Sequence, residues 1–183
     1  MPASRVMLIR HGEKPSADGS EVGVTFQGTQ SADELSVRGW QRAGALTTFF
    51  APSAGKSMSL GIVTPTHLFA PRPTPSAPSR RAGHTLAPLA DLLGLTVQLD
   101  FSKGQEADLA AAIATLSGAV LVAWEHKALR AIGAALAGDD KLPQTWPDDR
   151  FDIVWSFEPL GEGWDSRQVP QLLLPGDSAE SML

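Results

Sequence analysis

The 183-residue chain contains no cysteine. That excludes disulfides and thiolate metal sites, and it fits any compartment. Excess positive charge is also missing: 15 Lys and Arg against 20 Asp and Glu leave a formal net charge of −5. Neither a nucleic acid nor a membrane surface is therefore an expected partner. No apolar stretch approaches the roughly 20 residues that a membrane-spanning helix needs. The first residues lack the basic start, long apolar run and small-residue cleavage site of a secretory signal. There is no internal repeat. What is present is 43% hydrophobic residues, ordinary for a globular protein, in a chain long enough for a real core. The expectation is one soluble, cytoplasmic domain covering residues 1–183.

The strongest local feature is Val6-Met7-Leu8-Ile9 followed by Arg10-His11-Gly12-Glu13. The apolar run reads as a buried strand, and Gly12 allows the chain to turn where it ends. A second apolar run, Ala119 to Trp124, ends in Glu125-His126 and reads as a strand covered on both faces. Between these runs the periodicity predicts several further elements. Residues 14–33, rich in Gly, Ser and Asp, form a long loop beside His11. A helix begins at Ser36 with Trp40, Ala43, Thr47 and Phe50 on one face. Pro52 to Ser59 breaks the chain, and Leu60 to Val63 is a short strand ended by Pro65. Residues 71–79 carry four prolines and form an extended loop. A helix after Arg80 and Arg81 carries Leu86, Leu89, Ala90 and Leu93 and ends at Gly94. Leu95 to Leu99 alternates as a strand. Leu109, Ala112, Ile113 and Leu116 mark a helix closed by Gly118. Leu129, Ile132 and Leu136 mark another, stopped by Gly138. Asp139 to Asp149 is a polar loop, and Phe151 to Phe157 and Gln171 to Leu174 are final strands. Strands alternating with helices predict a mostly parallel sheet covered on both faces, a three-layer α/β/α sandwich.

In a parallel sheet, the ends of the two apolar strands lie on one edge, where such folds place their ligands. His11 and His126 would then converge, with Arg10 beside one and Glu125 beside the other. Arginine next to histidine disfavours the imidazolium and keeps the ring available as a nucleophile or metal ligand. The planar arginine fork matches phosphate oxygens, so Arg-His-Gly reads better as phosphate chemistry than as metal binding. Arg81, at the start of a helix, is a further candidate anion ligand because the helix dipole favours negative charge there.

These residues carry a resemblance. Leu8-Ile9-Arg10-His11-Gly12-Glu13 resembles the Arg-His-Gly signature of the histidine phosphatase superfamily, which includes phosphoglycerate mutases and small phosphohistidine phosphatases. Leu35 to Ala43 resembles the start of that family's first helix. Arg81-Ala82-Gly83-His84-Thr85 resembles its Arg-Ala-x-Gln-Thr segment, and Val120 to His126 matches the strand carrying its second histidine. The four motifs occur in the family's order over residues 5 to about 137. The resemblance implies a phosphoglycerate mutase-like fold and a metal-independent phosphatase that needs no cofactor. Its substrate would be a small phosphorylated molecule or a phosphohistidine protein. His11 would be the nucleophile; Arg10, Arg81 and His126 would hold the phosphoryl oxygens. Glu13 and Glu125 are the candidates for the general acid, and each is equally a candidate structural partner for arginine. Three departures stand out, the first being His84 where the family commonly has Gln. The second histidine sits in Trp124-Glu125-His126 rather than Gly-His, and the approach to Arg81 is proline-rich. A phosphoglycerate mutase-like phosphotransferase and a catalytically weak phosphate-binding protein are the alternatives on the same fold.

Overall fold

In the computed structural model, which describes residues 3–138, 142–161 and 163–182, the first apolar run lies inside strand β1 (Ala3–Arg10). Its side chains alternate between two cores. Val6 and Leu8 enter one, Met7 and Ile9 the other, as the two-residue period of a strand requires. Strand β4 (Gly118–Trp124) does the same, with Val120, Val122 and Trp124 on one side and Ala119, Leu121 and Ala123 on the other. A strand buried on both faces has no polar side, which is why both segments are continuous hydrophobic runs.

β1 and β4 pair in parallel, with Arg10 opposite Trp124. On the far side of β4 lie β2 (His67–Phe69) and β3 (Val97–Gln98), also parallel. On the other side of β1 lie β5 (Ile153–Leu160) and β6 (Gly163–Pro170), which are antiparallel. The six-stranded order is β3-β2-β4-β1-β5-β6. Helices α1 (Val37–Phe50) and α2 (Arg81–Leu93) cover one face through Leu46, Phe50, Leu86 and Leu89. Helices α3 (Glu106–Ala114) and α4 (His126–Ala137) cover the other through Leu109, Ile113, Leu129 and Ile132. The expected mostly parallel, three-layer α/β/α sandwich is what forms. Among the described residues no helix is long and apolar enough to cross a membrane.

Several local expectations fail for identifiable reasons. Leu60 to Val63 is a turn. Gly61 adopts a left-handed φ of 92° and its carbonyl accepts from Arg5 and Ser156, so the strand comes only after Pro65. The expected strand Leu95 to Leu99 shrinks to the two residues of β3. Gly118 starts β4 rather than closing α3, which ends at Ala114. Gln171 to Leu174 is not a strand, and the sheet's edge is β6, in the stretch read as a connection. β6 has only Val169 buried among its hydrophobic residues, and so shows no apolar run. The buried face of α1 is Gly39, Arg42, Ala43, Leu46 and Phe50, turned away from the expected Trp40 and Thr47. A buried arginine is invisible to a hydrophobic pattern. Ser36 caps α1 as expected, accepting from Gly39 N. The expected loop Asp139 to Asp149 is irregular from Leu142 onward, and residues 139–141 lie outside the described residues.

Candidate active site

His11 is the first residue beyond β1, and its backbone N–H donates to Trp124 O on the neighbouring strand at 3.1 Å. Because β1 and β4 run in parallel and in register, their ends present His11 and the pair Glu125-His126 at one level of one sheet edge. Gly12 makes the turn after His11. Its N–H donates to Thr85 Oγ1 at 2.8 Å, and Thr85 Oγ1 in turn donates to Arg81 O at 2.7 Å. This bridge ties the first turn of α2, and so Arg81, to the end of β1. Arg81 and His126 are the first residues of α2 and α4. Two helix N-termini and their dipoles therefore lie at the same edge, an electrostatic setting for an anion.

His11 is buried at 6% exposure. Its Nδ1 lies 2.7 Å from Gly12 O. A carbonyl can only accept, so Nδ1 carries the proton and Nε2 the lone pair. Burial, followed by the charges of Arg81, Arg10 and His126, lowers the imidazole pKa to about 3, against the opposing effect of the Gly12 carbonyl. The ring is neutral at physiological pH, and the nominated Arg81, Arg10 and His126 lie close enough to contribute to that.

Arg10 is 1% exposed and is held from behind. Nη1 donates to the carbonyls of Pro147, Asp148 and Arg150 at 3.2, 2.7 and 3.1 Å. The guanidinium stacks on Phe151, 3.7 Å from the ring centroid. Arg81 donates Nη1 to Ala32 O at 2.9 Å. His126 Nε2 lies 2.5 Å from Asp148 Oδ1. Yet Arg10 Nε and Nη2, Arg81 Nε and His126 Nδ1 are buried without a hydrogen-bond partner. A buried unmet donor costs about 1–3 kcal/mol. The three arginine atoms are donors that an oxyanion would satisfy, and His126 Nδ1 becomes a fourth when the ring is doubly protonated. Burial pulls the pKa of Arg10 down to about 10 and lowers that of Arg81; both remain cations at neutral pH.

The two glutamates part company. Glu125 borders a cavity of about 280 Å³ together with His11, Arg81, Trp124 and the proline-rich loop, and it is ion-paired with Lys103. Arg10 and His126 are not among the cavity's lining residues, and neither is Glu13. Its buried carboxylate accepts from Arg38 Nε at 3.2 Å, from Arg42 Nε at 3.1 Å to each oxygen and from Arg42 Nη2 at 2.8 Å. His84, the departure from the Arg-Ala-x-Gln-Thr pattern, is also outside the cavity lining. It pairs with Glu34 and stacks on Trp40 with centroids 5.4 Å apart. Sequence reasoning assigned no role to Asp148 or Phe151. Asp148 lies in an expected polar loop and Phe151 at the start of an expected strand, and neither position says which arginine or histidine it will meet.

No protein-family model matches the chain, and no curated protein matches it. Solved structures do. The α-ribazole phosphatase from Shigella flexneri is 15% identical, over 89% of this chain and 94% of its own, with a TM-score of 0.51. The open reading frame Rv3214 from Mycobacterium tuberculosis is 17% identical, over 92% of this chain and 97% of its own, with a TM-score of 0.49. At such identities the likeness speaks to architecture alone. The chain has the α/β phosphoglycerate mutase-like fold, shared with the Shigella flexneri α-ribazole phosphatase.

Proposed function

We propose that the chain is a metal-independent phosphatase acting on a phosphomonoester or phosphohistidine through a phosphohistidine on His11. The observation that supports it most is the set of buried, unpartnered arginine donors, Arg10 Nε and Nη2 and Arg81 Nε, together with the unpartnered His126 Nδ1, near a neutral imidazole. His11 Nε2 attacks phosphorus, an N–P bond forms and the bond to the leaving group breaks. The three cationic side chains offset the charge that develops on the phosphoryl oxygens. Water then attacks the phosphohistidine, gives up a proton, and frees phosphate and His11. Gly12 O, by fixing the proton on Nδ1, selects Nε2 as the nucleophilic atom.

Glu125 is the proton donor for the leaving group in this reading, because it borders the cavity beside His11. Glu13 is a brace, since its carboxylate is occupied by two arginines. The ion pair of Glu125 with Lys103 favours one further reading: a site that binds phosphate but turns over only substrates with good leaving groups.

The test is hydrolysis of p-nitrophenyl phosphate in EDTA, with wild type set against His11→Ala. Wild type is expected to hydrolyse the ester and to trap acid-labile phosphate; the variant should do neither. Activity surviving in His11→Ala would overturn the assignment.

A further inference from the structure

We propose, on the phosphatase reading above, that Asp148 is a positioning residue: its carboxylate holds His126 as an imidazolium whenever a phosphoryl group is bound, so that Nδ1–H faces the oxyanion. Nothing in the four sequence motifs points to Asp148, which lies in the loop before β5.

Asp148 meets both margins of the site through different atoms. Its carboxylate Oδ1 is 2.5 Å from His126 Nε2. Its backbone carbonyl accepts from Arg10 Nη1 at 2.7 Å. The nitrogens these contacts leave over, His126 Nδ1 and Arg10 Nε and Nη2, are buried and unpartnered. His126 itself is 7% exposed.

The tautomer decides what His126 can do. A neutral imidazole that gives its one N–H to Asp148 offers the pocket a lone pair at Nδ1, which repels an oxyanion. Only the doubly protonated ring donates on both sides. The groups around His126 pull in opposite directions, and without a bound anion the balance lowers its pKa. Burial and Arg10 disfavour the charged ring; Asp148, through its hydrogen bond and charge, and Glu125 at the head of α4 favour it. Among the described residues, His11 at the end of β1 and Lys127 and Arg130 on α4 also lie near it, and Lys14 acts on Asp148. The bound phosphoryl group supplies the second anion, and the imidazolium is then held between two negative charges. Asp148 is unsuited to the alternative role of general acid. Its carboxyl is 77% exposed, and the His126 hydrogen bond holds it below the ordinary carboxylate range.

Asp148→Asn separates these functions, because it removes the charge, keeps an oxygen for Nε2–H and leaves the carbonyl on Arg10. We expect kcat/KM for p-nitrophenyl phosphate at pH 8 to fall about 10- to 100-fold, the usual range for losing a supporting partner of a site histidine. The deficit should shrink toward pH 5, where solvent protons charge His126 without help, so that the basic limb of the profile moves to lower pH. Asp148→Glu should restore part of the loss. In parallel, inorganic phosphate should bind Asp148→Asn more weakly than wild type at pH 8 and nearly equally at pH 5.5. The His126 imidazole resonance, assigned by comparison with His126→Gln, should titrate at lower pH in the variant. A loss of the same size at every pH would overturn the proposal and leave Asp148 a structural anchor; so would unchanged activity and phosphate affinity. If wild type does not hydrolyse phosphate esters, the phosphatase reading fails, and the phosphate-affinity and resonance measurements still decide the role of Asp148.

Discussion

At the scale of single residues, the proposed site separates groups that line the cavity from groups that hold them. Glu125 lines it and Glu13 does not, and the difference can be measured. On a substrate with an alkoxide leaving group, Glu125→Gln should lower kcat by about 10²- to 10⁴-fold, the usual worth of a general acid. On p-nitrophenyl phosphate it should change little, because nitrophenolate leaves without a proton. Glu13→Gln should act on stability instead. It takes charge from a carboxylate receiving hydrogen bonds from Arg38 and Arg42, and should cost about 1–3 kcal/mol in chemical denaturation. If Glu13→Gln showed the leaving-group dependence, the roles would be reversed.

Between elements, the critical contact is the crossing of the β1 turn over the start of α1. A Cβ on Gly39 would lie 2.4 Å from Glu13 O, and one on Gly12 would lie 2.9 Å from Gly39 O. Both obstacles are backbone, so neither can rotate aside. Gly39→Ala should therefore cost about 1–3 kcal/mol of stability, as overpacking does. It should also lower kcat, since the displaced turn carries His11. Thermal unfolding and initial rates check the two effects together, and a stable, fully active Gly39→Ala would show that this crossing is slack.

For the whole molecule, Arg42 is the tie. It is 2% exposed and joins Glu13 after β1 to Asp177 and Gln171 in the C-terminal tail. Asp177 also accepts from Leu173 N and Leu174 N at 2.8 and 3.1 Å. Replacing Arg42 by Met leaves the Glu13 and Asp177 carboxylates with only the half-exposed Arg38 between them, and should cost about 3–5 kcal/mol in denaturant unfolding. Buried titratable groups set the response to pH. His11 titrates near 3 in the fold and near 6.5 in the unfolded chain. The unfolded chain therefore binds more protons between these values, and stability falls as pH drops through that window, by at most about 1.4 kcal/mol per unit. His126, also lowered, acts in the same direction. Burial alone would raise Asp177, but Arg42 and the two backbone N–H groups outweigh it and hold the carboxyl below its ordinary value. Its contribution is present above about pH 4 and is lost as pH falls further. Unfolding free energy measured from pH 7 to pH 4 should thus decline, and more gently in His11→Asn.

The two central strands were legible in the amino-acid order alone, because a strand buried on both faces must be apolar throughout, and Val6–Ile9 and Ala119–Trp124 are. That order also nominated Arg10, His11, Arg81, Glu125 and His126, because each stands where such a strand ends or a helix begins. It could not show the edge strand β6, whose half-exposed residues carry no apolar run, nor the buried Arg42 on α1. It could not separate Glu13 from Glu125, since both adjoin a histidine and only folding decides which one meets two arginines. Asp148 was equally out of reach. A polar loop has no period to read, and its partners, Arg10 and His126, come together only when β1 and β4 pair and the chain returns over their ends.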